Sequence, residues 1–103
     1  MPPLTVYSTC ASRKEAEKIA SALVRERLAA CVNFFPCSSV FKWRGRQVKA
    51  REFVLLAKTT ERKYPALERR LKRLNSYEVP CIVAWKDSAA YRPYSAWVER
   101  SCQ

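Results

Sequence analysis

Residues 31–58 read CVNFFPCSSVFKWRGRQVKAREFVLLAK, two extended segments on either side of the only glycine in the chain. Cys31 to Phe41 is rich in Val and Phe, which favour strands. The sequence Lys-Trp-Arg-Gly-Arg at 42–46 predicts a turn, because Gly45 adopts a positive φ without a steric cost. Val48 to Lys58 predicts a second strand, alternating at first and then apolar on both faces, as in a covered central strand. The stretch therefore predicts a long β-hairpin.

The segment before the hairpin predicts a strand and a helix. Leu4 to Thr9 is short and rich in Thr, Val and Tyr, which is typical of a strand. Ser12 and Glu15 form a capping box, in which we expect the glutamate to reach back to the amide of Ser12. A helix of about fifteen residues should follow, because apolar residues recur at helical spacing. These residues are Ala16, Ile19, Ala20, Leu23 and Val24.

The segment after the hairpin predicts a second helix, a fourth strand and a terminal helix. Thr59 or Thr60 caps the second helix, whose regular part should begin later because Pro65 belongs in a first turn. Val79 to Trp85 predicts a strand, and a short helix carrying Trp97 and Val98 ends the chain. This order predicts an α+β fold, a ferredoxin-like sandwich of type βαββαβ with an added C-terminal helix.

The totals predict a single domain over residues 1–103, with an ordinary balance of 49% hydrophobic and 28% charged residues. No secretory signal and no long apolar run is visible, so we expect no membrane partner. Five cysteines without a C-x-x-C pair indicate a cytoplasmic protein, in which they serve as small buried residues apart from an exposed terminal thiol at Cys102.

The chain is strongly basic, with 20 Lys and Arg against 9 Asp and Glu and a net charge of +11. Such a field favours an anionic ligand or an acidic protein partner over a bare cation. A basic surface that is merely solvated is the alternative interpretation.

The length of the hairpin predicts a homo-oligomer. Each strand would extend about 36 Å at ~3.3 Å per residue, nearly twice the usual ~17–20 Å. Two helices cannot cover such a hairpin, so Phe41 and Trp43 would face water unless another chain pairs with the overhang. In the alternative arrangement, Phe41 and Trp43 fold back over their own sheet.

Several motifs resemble the CutA family, the divalent-cation tolerance proteins, over nearly the whole chain. They are Leu28-Ala29-Ala30-Cys31-Val32-Asn33, Trp43-Arg44-Gly45, Glu52, Lys58-Thr59, Tyr77-Glu78-Val79-Pro80, Tyr94 and Trp97. The resemblance implies a cytosolic homotrimer built by pairing the long hairpins, with an architecture similar to that of PII signalling proteins. It also implies a connection with tolerance to copper or another divalent cation, and a binding or signalling role in place of a settled enzymatic reaction.

The predicted site is a polar cleft between subunits. In the predicted fold Glu52, Lys58, Tyr77 and Glu78 share one neighbourhood, with Trp43 as an apolar wall. Lys58 is also the best candidate for a lysine base, and an ion pair with Glu52 or Glu78 at a subunit contact is its alternative role. The predicted oligomer interface comprises Phe41, Trp43 and Trp97.

Metal binding and catalysis are disfavoured by the residue types. The chain has no histidine, and its nine acids are scattered without ligand spacing. Asn75-Ser76-Tyr77 stands where family members often read His-Pro-Tyr, basic residues follow Gly45 where many have acids, and Ser8 stands where some have cysteine. Cys10 is a weak candidate ligand for Cu(I) shared across subunits. No nucleophile has a histidine as activating base, so no catalytic residue is predicted.

A basic nucleic-acid-binding module with a sheet like an RNA-recognition motif is the alternative function. The strand order is the same, and Lys and Arg surround Trp43 in the turn. The aromatic platform is incomplete, because Arg51 and Leu56 stand at two stacking positions and only Phe53 and Tyr7 are aromatic. We therefore expect nucleic-acid binding to be at most non-specific.

Overall fold

The structure, a computed structural model, describes residues 2–103. In chain order its elements are β1 (Leu4–Cys10), α1 (Arg13–Arg25), β2 (Cys31–Trp43), β3 (Arg46–Thr59), α2 (Tyr64–Leu74), β4 (Ile82–Lys86) and α3 (Arg92–Ser101). The strands form one antiparallel sheet in the order β2-β3-β1-β4. The predicted ferredoxin-like α+β fold with a C-terminal helix is confirmed. None of the helices within the described part of the chain is long and apolar enough to cross a bilayer.

The hairpin is longer than predicted. Its strands run to Trp43 and from Arg46, so the turn contains only Arg44 and Gly45. Both turn residues have positive φ, 53° and 78°, as in the two-residue turns whose twist matches that of the strands. The backbone hydrogen bonds between the two strands therefore continue through the mostly polar residues 42–47, where the sequence shows no alternation of apolar and polar residues. β2 is an edge strand, and Pro36 lies in it opposite Phe53.

Helix α1 begins as predicted at Ser12, whose Oγ accepts a hydrogen bond from the amide of Glu15 at 3.2 Å. The second half of the capping box is different. The Glu15 carboxylate accepts from the amide of Ala11 at 3.1 Å, one residue earlier than expected. Val24, predicted on the apolar stripe, is 44% exposed; Ala22 is buried instead, because the buried face of α1 is centred on Ala16, Ile19 and Leu23.

Helix α2 confirms the late start, since it begins at Tyr64 with Pro65 in its first turn. β4 is shorter than predicted, because Val79, Pro80 and Cys81 belong to the connection that precedes it. Proline cannot donate to a ladder, so the strand begins only after Pro80.

The core lies between the sheet and the pair of helices α1 and α2. Val6 and Leu55 from the sheet pack with Ile19 and Leu23 of α1 and with Leu67 of α2. A smaller cluster forms where Val98 and Cys102 of α3 meet Ala30. All of these side chains are almost completely buried, so the helices cover one face of the sheet.

The opposite face of the sheet is uncovered over much of its area. Alternate residues of a strand point to opposite faces, and the register places Tyr7 beside Leu56 and Val83 on this open face. Large apolar side chains are exposed there, namely Phe35, Phe41, Trp43, Val83 and Trp85. Burial of the sheet in a single chain is therefore one-sided.

Candidate functional site

A hollow lies on the open face, between the hairpin arm and the loop before β4. We use "hairpin arm" for residues 37–52 and "cleft loop" for residues 75–81. The cleft between them has a volume of about 620 Å³, within the usual range for small-molecule sites. Its walls include Tyr7, Phe41, Trp43, Val48, Glu52 and Tyr77.

Glu52 lies at the floor of this cleft. It is central in the β2–β3 ladder, opposite Cys37, and is only 7% exposed. The hydroxyl of Tyr77 donates to Glu52 Oε1 at 2.8 Å. Burial, followed by the hydrogen bond to Glu52, raises the pKa of Tyr77 well above its ordinary value. The phenol therefore keeps its proton and acts as a fixed donor to the carboxylate.

Asn75 holds the cleft loop in place, a role that the sequence did not reveal. Its amide nitrogen donates to the carbonyl of Thr9 at 2.9 Å, and its side-chain oxygen accepts from the amide of Tyr77 at 2.9 Å. Asn75 also ends α2, where its backbone N–H bonds to Leu71. One buried amide thus joins the helix end, strand β1 and the loop that carries Tyr77.

An ion pair closes the outer rim of the cleft. Arg44 at the hairpin tip donates to Glu78 of the cleft loop at 2.9 Å, and both side chains are about two-thirds exposed. The guanidinium carbon also lies 5.5 Å from the ring centroid of Trp43. An exposed pair of this kind adds little stability, and it links the hairpin tip to the cleft loop.

The structure brings together Trp43, Glu52, Tyr77 and Glu78, but it does not bring Lys58 to them. Lys58 is six residues beyond Glu52 on the same strand, which is about 20 Å at the strand rise. Its ammonium donates to Thr5 Oγ1 at 2.6 Å, and it lines a separate hollow of about 440 Å³ with Trp85 and Tyr94. Within one chain Lys58 therefore lies outside the predicted neighbourhood, and its alternative role, an ion pair with Glu52 or Glu78 at a subunit contact, stays a prediction.

The three predicted interface aromatics all reach the surface. Phe41 and Trp43 are each 41% exposed and form one wall of the cleft. Trp97 of α3 is exposed and lies 5.7 Å from Tyr94 between ring centroids. Their role in an interface between subunits stays a prediction.

The cysteines differ from expectation at the C-terminus. Cys102, predicted to be exposed, is fully buried beside Thr59, because α3 folds back onto the end of the sheet. Cys81 is the exposed thiol and lies in the cleft. Cys10, the weak candidate ligand, is fully buried on the helix side, and burial raises the pKa of its thiol to about 11.

The donor groups of one chain do not fit a divalent-cation site. Among residues 2–103, no three Cys, Asp or Glu side chains lie close enough to hold an ion together. A protonated, buried thiol such as Cys10 is a poor ligand, since metals bind the thiolate. Site residues that the sequence missed, Tyr7, Val48 and Cys81, contribute aromatic, apolar and thiol surface to the cleft.

The open face does not display the aromatic positions of an RNA-recognition motif. Phe53, the aromatic residue of β3, packs against the core under the helices. The open face carries Glu52, Val54 and Leu56 in its place. The nucleic-acid alternative is therefore not supported by the arrangement of the sheet.

Comparison with known proteins finds several relatives that this chain covers almost completely. The family model described as CutA1 divalent ion tolerance protein matches residues 4–101. The divalent-cation tolerance protein CutA of Thermus thermophilus is 43% identical over 97 residues, covering 93% of this chain and 94% of the relative.

Solved structures agree with the sequence matches. CutA from Xylella fastidiosa has a TM-score of 0.97 and 33% identity and covers both chains completely. The Archaeoglobus fulgidus protein, described as a periplasmic divalent cation tolerance protein, has a TM-score of 0.96 and 35% identity, covering 98% of this chain and 99% of its own. Fold, sequence and the family match agree, and the chain belongs to the CutA1 divalent ion tolerance protein family.

Proposed function

We propose that this protein is a non-enzymatic, homotrimeric binding module of the divalent-cation tolerance family, with the cleft beneath the hairpin arm as its ligand site. Residues 1–103 form its single domain. Trp43, Glu52, Tyr77 and Glu78 are the ligand-contacting residues, and Lys58 is assigned to a separate contact at the other end of the strand.

The main support for the trimer is the apolar surface that the open face of the sheet exposes. Phe35, Val83 and Trp85 expose apolar surface on it, and exposed patches of this kind mark interaction surfaces. The hairpin arm extends the same surface through Phe41 and Trp43, on the edge strand β2. A closed ring of three copies would cover the edge strand and the apolar face beyond the cleft, leaving the cleft between subunits and Trp97 at the margin of the contact.

The absence of catalysis is supported by the state of the groups in the cleft. Burial, and next the charge of Glu52, raise the pKa of the Cys81 thiol, which works against a thiolate nucleophile. Tyr77 keeps its proton for the same reasons. A nucleophile needs an activating base within hydrogen-bonding reach, and the contact of Glu52 is with the protonated phenol of Tyr77 and not with the Cys81 thiol.

The proposed partner and the proposed location rest on the charge of the chain and on the state of its cysteines. Of the twenty basic side chains, five form ion pairs within residues 2–103, so an acidic protein or another anionic partner suits the outer surface. Nucleic acid would bind there only non-specifically. All five cysteines are free, which suits the reducing cytoplasm. A role in tolerance of copper or another divalent cation would then proceed without a metal site inside one chain.

The test is the absolute mass in solution, measured by light scattering with a matched pair of variants. We expect about 35.7 kDa, three times 11.9 kDa. Val83→Arg, on the open face, should lower the mass towards one chain, because it places a charge in the proposed contact. Val24→Arg, on the outer surface of α1, should leave the mass unchanged. A wild-type mass near 11.9 kDa, or equal masses for both variants, would contradict the trimer.

A further inference from the structure

Glu52 is unusual among the acids of this chain because it is buried without a basic partner. Among residues 2–103, Glu52 is the one acidic residue that is almost completely buried. The ion pairs in that part of the chain use Glu17, Glu26, Glu61, Glu78 and Glu99. Burying a charge is costly unless it is paired or hydrogen-bonded, so one Tyr77 hydroxyl leaves the carboxylate incompletely satisfied.

Glu52 lines the cleft, and its two carboxylate oxygens differ in their contacts. Tyr77 donates to Oε1, and no donor from residues 2–103 lies within hydrogen-bonding distance of Oε2. No fully buried side-chain oxygen or nitrogen in this range lacks a partner. Oε2 therefore retains access to the open volume of the cleft, where a ligand would meet it.

The basic residues of the chain cannot supply the missing cation from the same face. The same-face bases of β3 are Arg46 and Lys58, each six residues from Glu52 and so about 20 Å away along the strand. Lys58 is bonded to Thr5, and Arg44 is paired with Glu78 at the rim. Within one chain, therefore, no basic side chain pairs with Glu52 at the cleft floor.

Aromatic walls complete a site for a cation with an apolar body. Tyr7, Phe41, Trp43 and Tyr77 line the same cleft as Glu52. Aromatic ring faces attract ammonium and guanidinium groups, most strongly where water is excluded. The charge of Glu52 also raises the pKa of Tyr7, after burial and the effects of two cysteines, so the carboxylate and this ring share one part of the cleft.

We propose that the cleft binds a small organic cation, an alkylammonium or guanidinium group, which donates to Glu52 Oε2 while its apolar body packs against Trp43 and Phe41. A metal ion fits less well, because one carboxylate and a phenol do not make a ligand set and about 620 Å³ is far larger than an ion needs. The proposal deepens the proposed function by naming the ligand class of the same cleft, and it rests on the cleft being the ligand site.

The experiment compares three probes of one shape: benzylammonium, benzyl alcohol and benzoate. Binding is followed at neutral pH by the NMR shift of the Trp43 indole N–H, with the mass of each sample measured in parallel. We expect benzylammonium to bind about tenfold more tightly than benzyl alcohol, which corresponds to about 1.4 kcal/mol, and benzoate to bind more weakly than either.

The variant Glu52→Gln should remove the preference for benzylammonium while keeping a partner for Tyr77. Glu17→Gln, on the exposed surface of α1 and outside the cleft, should keep the preference. Equal binding of the cation and the alcohol in wild type, tighter binding of benzoate, or a preference that survives Glu52→Gln would overturn the proposal. No binding of any probe to a trimer would also overturn it, because a second copy would then fill the cleft. A monomer that prefers benzylammonium would refute the trimer and support the ligand class.

Discussion

Replacing Tyr77 by phenylalanine removes one hydroxyl from the cleft and tests whether the Tyr77–Glu52 contact stabilises the protein. The ring stays, so little cavity is created, but Glu52 loses its donor at 2.8 Å. Hydrogen bonds to charged groups contribute about 1.5–3 kcal/mol, and Glu52 is 7% exposed, so water replaces the donor poorly. We expect the free energy of unfolding to fall by about 2 kcal/mol.

The assay is urea unfolding at one fixed protein concentration, because the stability of an oligomer depends on concentration. Tyr91→Phe is the control, since Tyr91 is highly exposed and should change stability by no more than about 0.5 kcal/mol. In a Glu52→Gln background, the cost of Tyr77→Phe should shrink, because the acceptor is no longer charged. A cost equal to that of Tyr91→Phe, or one unchanged by Glu52→Gln, would refute the reasoning.

The same contact sets the pH dependence. Burial and the hydrogen bond to Glu52 raise the pKa of Tyr77 above its ordinary 10.0. The folded protein therefore holds a proton that the unfolded chain releases, so the contribution is complete below pH 10 and is lost as the pH rises towards the folded pKa. The stability difference between wild type and Tyr77→Phe should narrow above pH 10. A stability difference between wild type and Tyr77→Phe that stays constant above pH 10 would mean that the ionisation of Tyr77 does not set this pH dependence.

Three further changes have defined outcomes. Asn75→Ala should lower the free energy of unfolding by about 2–3 kcal/mol, because the buried carbonyl of Thr9 loses its donor. Hydrogen exchange in the cleft loop should also accelerate, and unchanged exchange would show that Asn75 does not hold the loop in place. Gly45→Ala should lower the free energy of unfolding in urea by about 1–2 kcal/mol, because alanine is strained at φ 78°. An unchanged stability would mean that the turn adopts another conformation. Cys10 and Cys102 should resist iodoacetamide at pH 8 until urea is added, because both are fully buried; rapid labelling of the native protein would contradict their burial.

The hairpin was predictable because its turn and its core-facing residues leave local signals. Gly45 and the apolar run that begins at Phe53 identified the turn and the central strand. The bounds were too short because residues 42–47 are mostly polar, and there the pairing is maintained by backbone hydrogen bonds and the turn geometry. Side-chain patterns report burial, and the tip of the arm is not buried within one chain.

The candidate site was only partly predictable, for reasons of distance and of tertiary contact. Glu52 and Tyr77 were grouped correctly, whereas the rise of an extended strand separates Lys58 from them. Asn75 was missed because its partner is a backbone carbonyl of β1. The order of side chains in the sequence does not indicate such a contact. Cys102 was misjudged because terminal position suggested exposure, while α3 packs it against Thr59.

Pro36 has a consequence for how copies of this chain can associate. Proline in a sheet is tolerated at an edge, where its missing N–H faces outwards, and β2 is such an edge. An incoming strand would lose a donor in mid-ladder, so uninterrupted pairing along all thirteen residues of β2 is disfavoured. Fibrils grow by repeating an unbroken ladder without limit. The proline thus acts as a gatekeeper against open-ended polymerisation, while residues 37–43 remain free for a finite assembly.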